Sequence, residues 1–152
     1  NVLPCEVEAI VLGGHGDSMV PLIEHTKVEG RPVAELLPKG EIESIIQRTR
    51  DGGAEIVSLL KTGSAYYAPS SAVCEMLEAV IKDKKEVLPV SAYLEGQYGI
   101  DGLYCGVPAR IGEDGVEEII ELKLSDKELA ALKWSAEQVK EGIGYLKKSG
   151  LV

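Results

Sequence analysis

Gly13-Gly14-His15-Gly16-Asp17-Ser18 follows directly on the apolar run Val7-Glu8-Ala9-Ile10-Val11-Leu12. The run reads as a buried strand, so the six residues behind it form a loop at a strand's end. Each glycine adds unfolded-state entropy that ordering must overcome, about 0.5–1 kcal/mol relative to Ala in regular structure. Glycines on both sides of one histidine therefore suit a backbone that must turn sharply and leave an imidazole accessible. With an unperturbed pKa of about 6.5, histidine can give or take a proton near neutrality. The loop is the candidate chemical centre, with His15 as an acid–base group; a purely structural histidine is the competing reading.

Other chemistries fit the loop poorly. A phosphate cradle needs a following Lys-Ser/Thr, which is missing, and Gly-Gly-His-Gly is not the dinucleotide-binding pattern. For a metal, His15 would need partners among Asp17, Glu24 and His25, none at helical ligand spacing. Ser18 lacks the Gly-x-Ser-x-Gly elbow of a serine hydrolase. His25 has no glycine context and reads as a surface or packing residue. Tyr66 and Tyr67 either line a pocket or cap a helix face.

Outward from the loop, Met19–Ile23 and His25–Val28 read as a second extended segment ending in the turn Glu29-Gly30-Arg31-Pro32. A short piece of undecided type, Val33 to Leu37, follows. From Glu41 to Asp83 the periodicity is helical. The pair Gly52-Gly53 predicts a break or kink, and Lys61-Thr62-Gly63-Ser64 is a second interruption. Val73, Met76, Leu77, Val80 and Ile81 then share one helix face. Pro69 falls near that helix's first turn, and Lys82, Lys84 and Lys85 lie at the negative end of its dipole.

Val87 to Leu94 is extended, and Pro89 suggests an edge strand or bulge. Leu103–Ile111 and Val116–Leu122 bracket the hairpin signal Gly112-Glu113-Asp114-Gly115, giving an antiparallel meander. Ser125-Asp126-Lys127-Glu128 matches a capping box. Behind it Leu129, Leu132, Ala136, Val139, Ile143 and Leu146 form one stripe on a long helix, whose far end Gly142 and Gly144 should fray. Segregated helices and antiparallel strands give an α+β class.

At 152 residues the chain fits one domain with a real core. Its 45% hydrophobic and 27% charged residues are ordinary for a soluble globular protein. A formal net charge of −9 disfavours phosphate backbones and argues against nucleic-acid binding, though not against a small anionic substrate. No apolar run approaches the roughly 20 residues of a membrane span. The N-terminal stretch lacks the basic start and long apolar middle of a signal peptide. Cys5, Cys74 and Cys105 are too scattered for a disulfide framework or zinc site and read as reduced thiols of a cytoplasmic protein.

The segment Val11-Leu12-Gly13-Gly14-His15-Gly16-Asp17-Ser18-Met19-Val20-Pro21-Leu22 resembles the active-site segment of the lactate/malate dehydrogenase superfamily. Leu60-Lys61-Thr62-Gly63-Ser64-Ala65-Tyr66-Tyr67-Ala68-Pro69 and Tyr93-Leu94-Glu95-Gly96-Gln97-Tyr98-Gly99 resemble its lactate-dehydrogenase-like malate dehydrogenase branch in bacteria. The similarity runs over nearly the whole chain. It implies the C-terminal domain fold, antiparallel sheets packed against long helices, with residues 1–152 as one catalytic, substrate-side domain.

It further implies that His15 is the proton donor and acceptor opposite a hydride carried by NAD. Gly63 and Ser64 would lie beside a small dicarboxylate, and Asp17 would hold the loop. A homodimer or homotetramer is implied; the expectation of no metal, membrane or nucleic acid rests on the residues themselves. The family's NAD-binding Rossmann domain, the Asp partner of its histidine and its substrate-clamping arginines all precede the histidine segment. Only fourteen residues precede His15 here, with none of these among them. The expectation is a C-terminal domain alone, inactive without its N-terminal NAD-binding domain. Lactate or another 2-hydroxyacid as substrate, and a non-catalytic oligomerisation module, are the alternatives.

Overall fold

A computed structural model describes residues 2–150. After a 3-10 turn at Pro4–Glu6 come five short strands: β1 Val7–Glu8, β2 Val11–Gly13, β3 Met19–Pro21, β4 Lys27–Val28 and β5 Arg31–Pro32. Three helices follow, α1 Val33–Leu36, α2 Lys39–Leu60 and α3 Tyr67–Ile81. Then come β6 Glu86–Glu95, a 3-10 turn at Gln97–Gly99, β7 Asp101–Gly112, β8 Gly115–Ile119 and α4 Asp126–Lys148. The α+β class holds, and every strand pairing is antiparallel.

The run Val7–Leu12 is not one buried strand. β1 pairs with β4, and β4 with β5, in a small outer sheet, whereas β2 enters the main sheet of order β3-β2-β7-β6, with β8 also on β7. The chain changes sheets at Ala9-Ile10, where the Ile10 carbonyl accepts the Leu22 N–H at 3.0 Å instead of extending either ladder. Val7 is accordingly 37% exposed and Leu12 1%.

The meander β6-β7-β8 forms as its turn signals require. β6 is the edge strand, and Pro89 sits in it opposite Pro108. A proline cannot donate to a ladder, so the edge is where it costs least. The ladder's irregularity lies elsewhere, at Leu94/Glu95. Leu88, Val90, Ala92 and Leu94 point inward at the strand period of two and meet Leu103, Cys105, Val107, Ala109 and Ile111 of β7 in one core. Leu12, Val20 and Leu22 enter it from the loop-bearing hairpin, and Leu132 and Ala136 from α4.

The helices depart from the sequence reading at their glycines. α2 runs unbroken through Gly52-Gly53, and α4 through Gly142 and Gly144 to Lys148. A helical glycine costs about 1 kcal/mol relative to Ala, which a long helix tolerates. Arg48 also donates to Glu55 across the α2 pair, at 2.9 and 3.0 Å. α2 stops instead at Lys61, in the left-handed region with φ 63°. The undecided piece after Pro32 is the single turn α1. Ser125 starts α4 as expected, its N–H and hydroxyl both donating to Glu128, at 3.0 and 2.7 Å.

Candidate active site

β2 and β3 form a hairpin with Val11 opposite Pro21, Leu12 opposite Val20 and Gly13 opposite Met19, so residues 14–18 make its loop. Gly13 and Gly16 take φ +82° and +96°, which side chains with a Cβ rarely adopt. The Met19 N–H closes the turn on the Gly16 carbonyl at 3.0 Å.

Turning is only part of what the glycines do. A Cβ on Gly13 would lie 2.6 Å from Ser135 Oγ, and one on Gly106 of β7 would lie 2.2 Å from the Gly13 carbonyl oxygen. The loop is thus seated by close backbone approach to β7 and α4. Its first N–H, of Gly14, donates to Ser135 Oγ at 2.7 Å. At its other end the Met19 carbonyl accepts Arg50 Nε–H from α2 at 3.1 Å.

His15 itself is exposed. It lines a cleft of about 490 Å³ between the hairpin loop, the second half of α2 and the start of α3. Gly16, Asp17, Arg50, Ser64 and Pro69 share that lining. His15 and Ser64, forty-nine positions apart in sequence, are therefore brought together. Gly63 is not among the lining residues; it takes φ +93° in the turn before α3, and a Cβ there would lie 2.9 Å from the Tyr66 hydroxyl.

Asp17 is exposed at the cleft. Among the described residues the bonds that hold the loop come from Ser135, Arg50 and the backbone, and not from the Asp17 carboxylate. His25, read as a surface or packing residue, lies outside the cleft lining with Nε2 3.0 Å from the Lys123 carbonyl. Tyr66 and Tyr67 are both exposed and outside the cleft lining.

Cys105, behind the loop on β7, is buried, and burial pushes its thiol pKa up. Among the described residues no three His, Cys, Asp or Glu side chains gather as a metal ion would need. No helix among them is long and apolar enough to cross a membrane.

Ser135 and Arg50 are the residues that sequence reasoning missed. Ser135 was visible as a small polar residue beside the apolar stripe of α4, next to Ala136. Arg50 lay among the charges Arg48, Arg50 and Asp51, with nothing to separate it from a solvated face.

Residues 1–149 match the family model for the lactate/malate dehydrogenase alpha/beta C-terminal domain. The chain belongs to this family. It is 58% identical over 141 residues to a malate dehydrogenase of Methanosarcina mazei, covering 93% of this chain and 46% of that protein. With a malate dehydrogenase of Chlorobium limicola it shares 53% over 146 residues, 96% of this chain and 47% of the relative. The chain thus spans about half the length of the curated relatives it matches.

Among solved structures, malate dehydrogenase from Salinibacter ruber superposes with a TM-score of 0.90 at 47% identity, over 96% of this chain and 48% of that one. Lactate dehydrogenase from Cryptosporidium parvum, complexed with lactic acid and nicotinamide adenine dinucleotide, gives 0.89 at 42%, over 92% of this chain and 46% of that one. The resemblance drawn from the histidine segment is therefore a family membership, and the C-terminal domain fold it implied is the fold observed.

Proposed function

We propose that this chain is the catalytic, substrate-side domain of an NAD-dependent malate dehydrogenase, with His15 as the proton donor and acceptor. The observation that carries the reading is an exposed imidazole, held in a glycine-seated loop, at the wall of a cleft that Ser64 also lines. Malate dehydrogenases among the relatives, at 53% and 58% identity, support malate and oxaloacetate over lactate and pyruvate.

NAD, when bound, supplies or accepts the hydride. No strand–Gly-x-Gly-x-x-Gly–helix unit occurs in these residues, so the pyrophosphate finds no cradle here. Its binding is assigned mainly to an N-terminal NAD-binding domain, which would also bring the substrate-clamping arginines and the Asp partner of His15. His15, protonated, gives its proton to the 2-keto oxygen of oxaloacetate as the carbonyl carbon gains hydride. In reverse it takes the hydroxyl proton of malate. Such general acid–base work needs hydrogen-bond reach to the substrate oxygen, which an exposed ring on a fixed loop can offer. Ser64, with Gly63 shaping the turn before it, borders the space for the second carboxylate.

The reading includes a homodimer or homotetramer, supported by exposed apolar residues on α2 and α3 such as Ile45, Leu60, Val73 and Leu77. A cytoplasmic setting is supported by the free thiols of Cys5, Cys74 and Cys105.

The test compares the 152-residue chain alone with the same chain joined to its NAD-binding domain, following NADH oxidation. The chain alone should show no turnover. The joined protein should turn over oxaloacetate with kcat/KM about 100-fold above pyruvate. A pyruvate preference would move the assignment to lactate dehydrogenase, and turnover by the chain alone would contradict the division of labour.

A further inference from the structure

Ser135 is the one polar residue among the fully buried side chains of the described residues, at 0% exposure. It lies mid-α4, between Leu132 and Ala136, which are also buried. A buried hydroxyl is unfavourable unless hydrogen-bonded, and alanine is the better helix former. What the hydroxyl gains is the Gly14 N–H, 121 residues away in sequence and immediately before His15. The fit around that oxygen is close: Cβ atoms on Gly13 and Gly14 would lie 2.6 and 3.4 Å from it. Arg50 does the corresponding work at the loop's exit, binding the Met19 carbonyl from α2.

The hairpin has three residue pairs and joins β7 at Gly13 opposite Gly106, so the sheet holds the loop's base and leaves residues 14–18 beyond it to other anchors. We propose that Ser135 and Arg50 are positioning residues for proton transfer: they fasten the two ends of the His15 loop to α4 and α2. The place of the imidazole in the cleft is then set by two helices as well as by the hairpin's seat on β7. This deepens the dehydrogenase reading and rests on His15 being the proton donor. A donor displaced by about 1 Å can cost on the order of 100-fold in rate while leaving substrate affinity nearly untouched. A residue that only stabilises the fold would instead lower the melting temperature and leave the rate per folded molecule unchanged.

The experiment uses the chain joined to its NAD-binding domain and measures single-turnover NADH oxidation by oxaloacetate, alongside KM and NADH affinity. Ser135→Ala should slow the hydride-transfer step about 10- to 100-fold, with KM for oxaloacetate and NADH affinity within about 2-fold of wild type. Ser135→Cys, which keeps a weak acceptor at the same place, should recover part of the rate. Arg50→Gln should slow the step about 3- to 10-fold. Ser44→Ala, which removes an ordinary back-bond to the Gly40 carbonyl on exposed α2, is the control and should match wild type.

Folded Ser135→Ala protein at the wild-type rate would overturn the proposal. If that variant does not fold, wild-type rates in both Ser135→Cys and Arg50→Gln would overturn it equally. Failure of the underlying reading shows separately, as wild-type turnover by His15→Asn.

Discussion

α4 and the α2–α3 pair carry the same kind of apolar periodicity and meet opposite fates. α4 lies across β2, β3 and β7 and buries Leu132, Ser135 and Ala136. α2 buries none of its 22 residues, and α3 buries Ala79 alone, leaving Val73, Met76, Leu77 and Ile81 exposed. The contrast teaches that a stripe announces a face to be covered without saying what covers it. One helix completes the domain's own core and seats the histidine loop. The other two border the cleft along one side and present apolar surface outward.

Substitutions in the two helical regions should differ in their effects. The largest effect is expected from Leu132→Ala, which empties a fully buried site and should cost about 2–5 kcal/mol. Leu77→Ala, on the exposed α3 face, should cost under about 0.5 kcal/mol in this chain. Chemical denaturation of both measures the gap; equal losses would mean that α3 is as much part of the core as α4.

Glycines sharpen the same contrast with opposite signs. Gly106→Ala forces a methyl toward the Gly13 carbonyl and should destabilise by about 1–3 kcal/mol. At Gly52 a Cβ meets nothing within 4 Å, so Gly52→Ala should stabilise by about 0.5–1 kcal/mol. Melting temperatures moving the same way in the two variants would contradict the seating of β2 against β7.

The smallest expected effect is electrostatic, at the corner where α3 meets β6. Hydrogen bonds from Lys82 and Lys84 hold the Glu78 carboxyl well below its usual range, at about 2. An unfolded-chain glutamate titrates near 4.3. The stability it contributes is therefore complete above that pH and is lost as the pH falls through about 2. Because the group is exposed, the effect is modest. The melting-temperature difference between wild type and Glu78→Gln should shrink between pH 6 and pH 2; a constant difference would deny the pairing.

Much of this was legible in the sequence because local signals and tertiary outcome agreed. The meander follows from its turn residues and period-two alternation, Pro89 found the edge, and Ser125 and Glu128 opened α4. His15 stood out because its glycines had no cheaper explanation.

The misreadings came where tertiary context overrode a local cost. Gly52-Gly53, Gly142 and Gly144 stay helical because long helices absorb their entropy. Val7–Leu12 splits because its second half is claimed by the core and its first half by an outer sheet. That His15 and Ser64 border one cleft, and that Gly14 bonds Ser135, joins residues 49 and 121 positions apart, which no local pattern encodes. The loop reads as a turn, and its positive φ accounts for glycine at Gly13; that α4 also leaves no room there for a Cβ is a tertiary fact.

Proton transfer by the exposed imidazole of His15 is the proposal on which the dehydrogenase reading rests. Its most direct test is the kcat of His15→Asn in the chain joined to its NAD-binding domain, with NADH affinity measured on the same sample. The account predicts a fall in kcat of about 100- to 10,000-fold at unchanged NADH affinity. Wild-type kcat in that variant would contradict it.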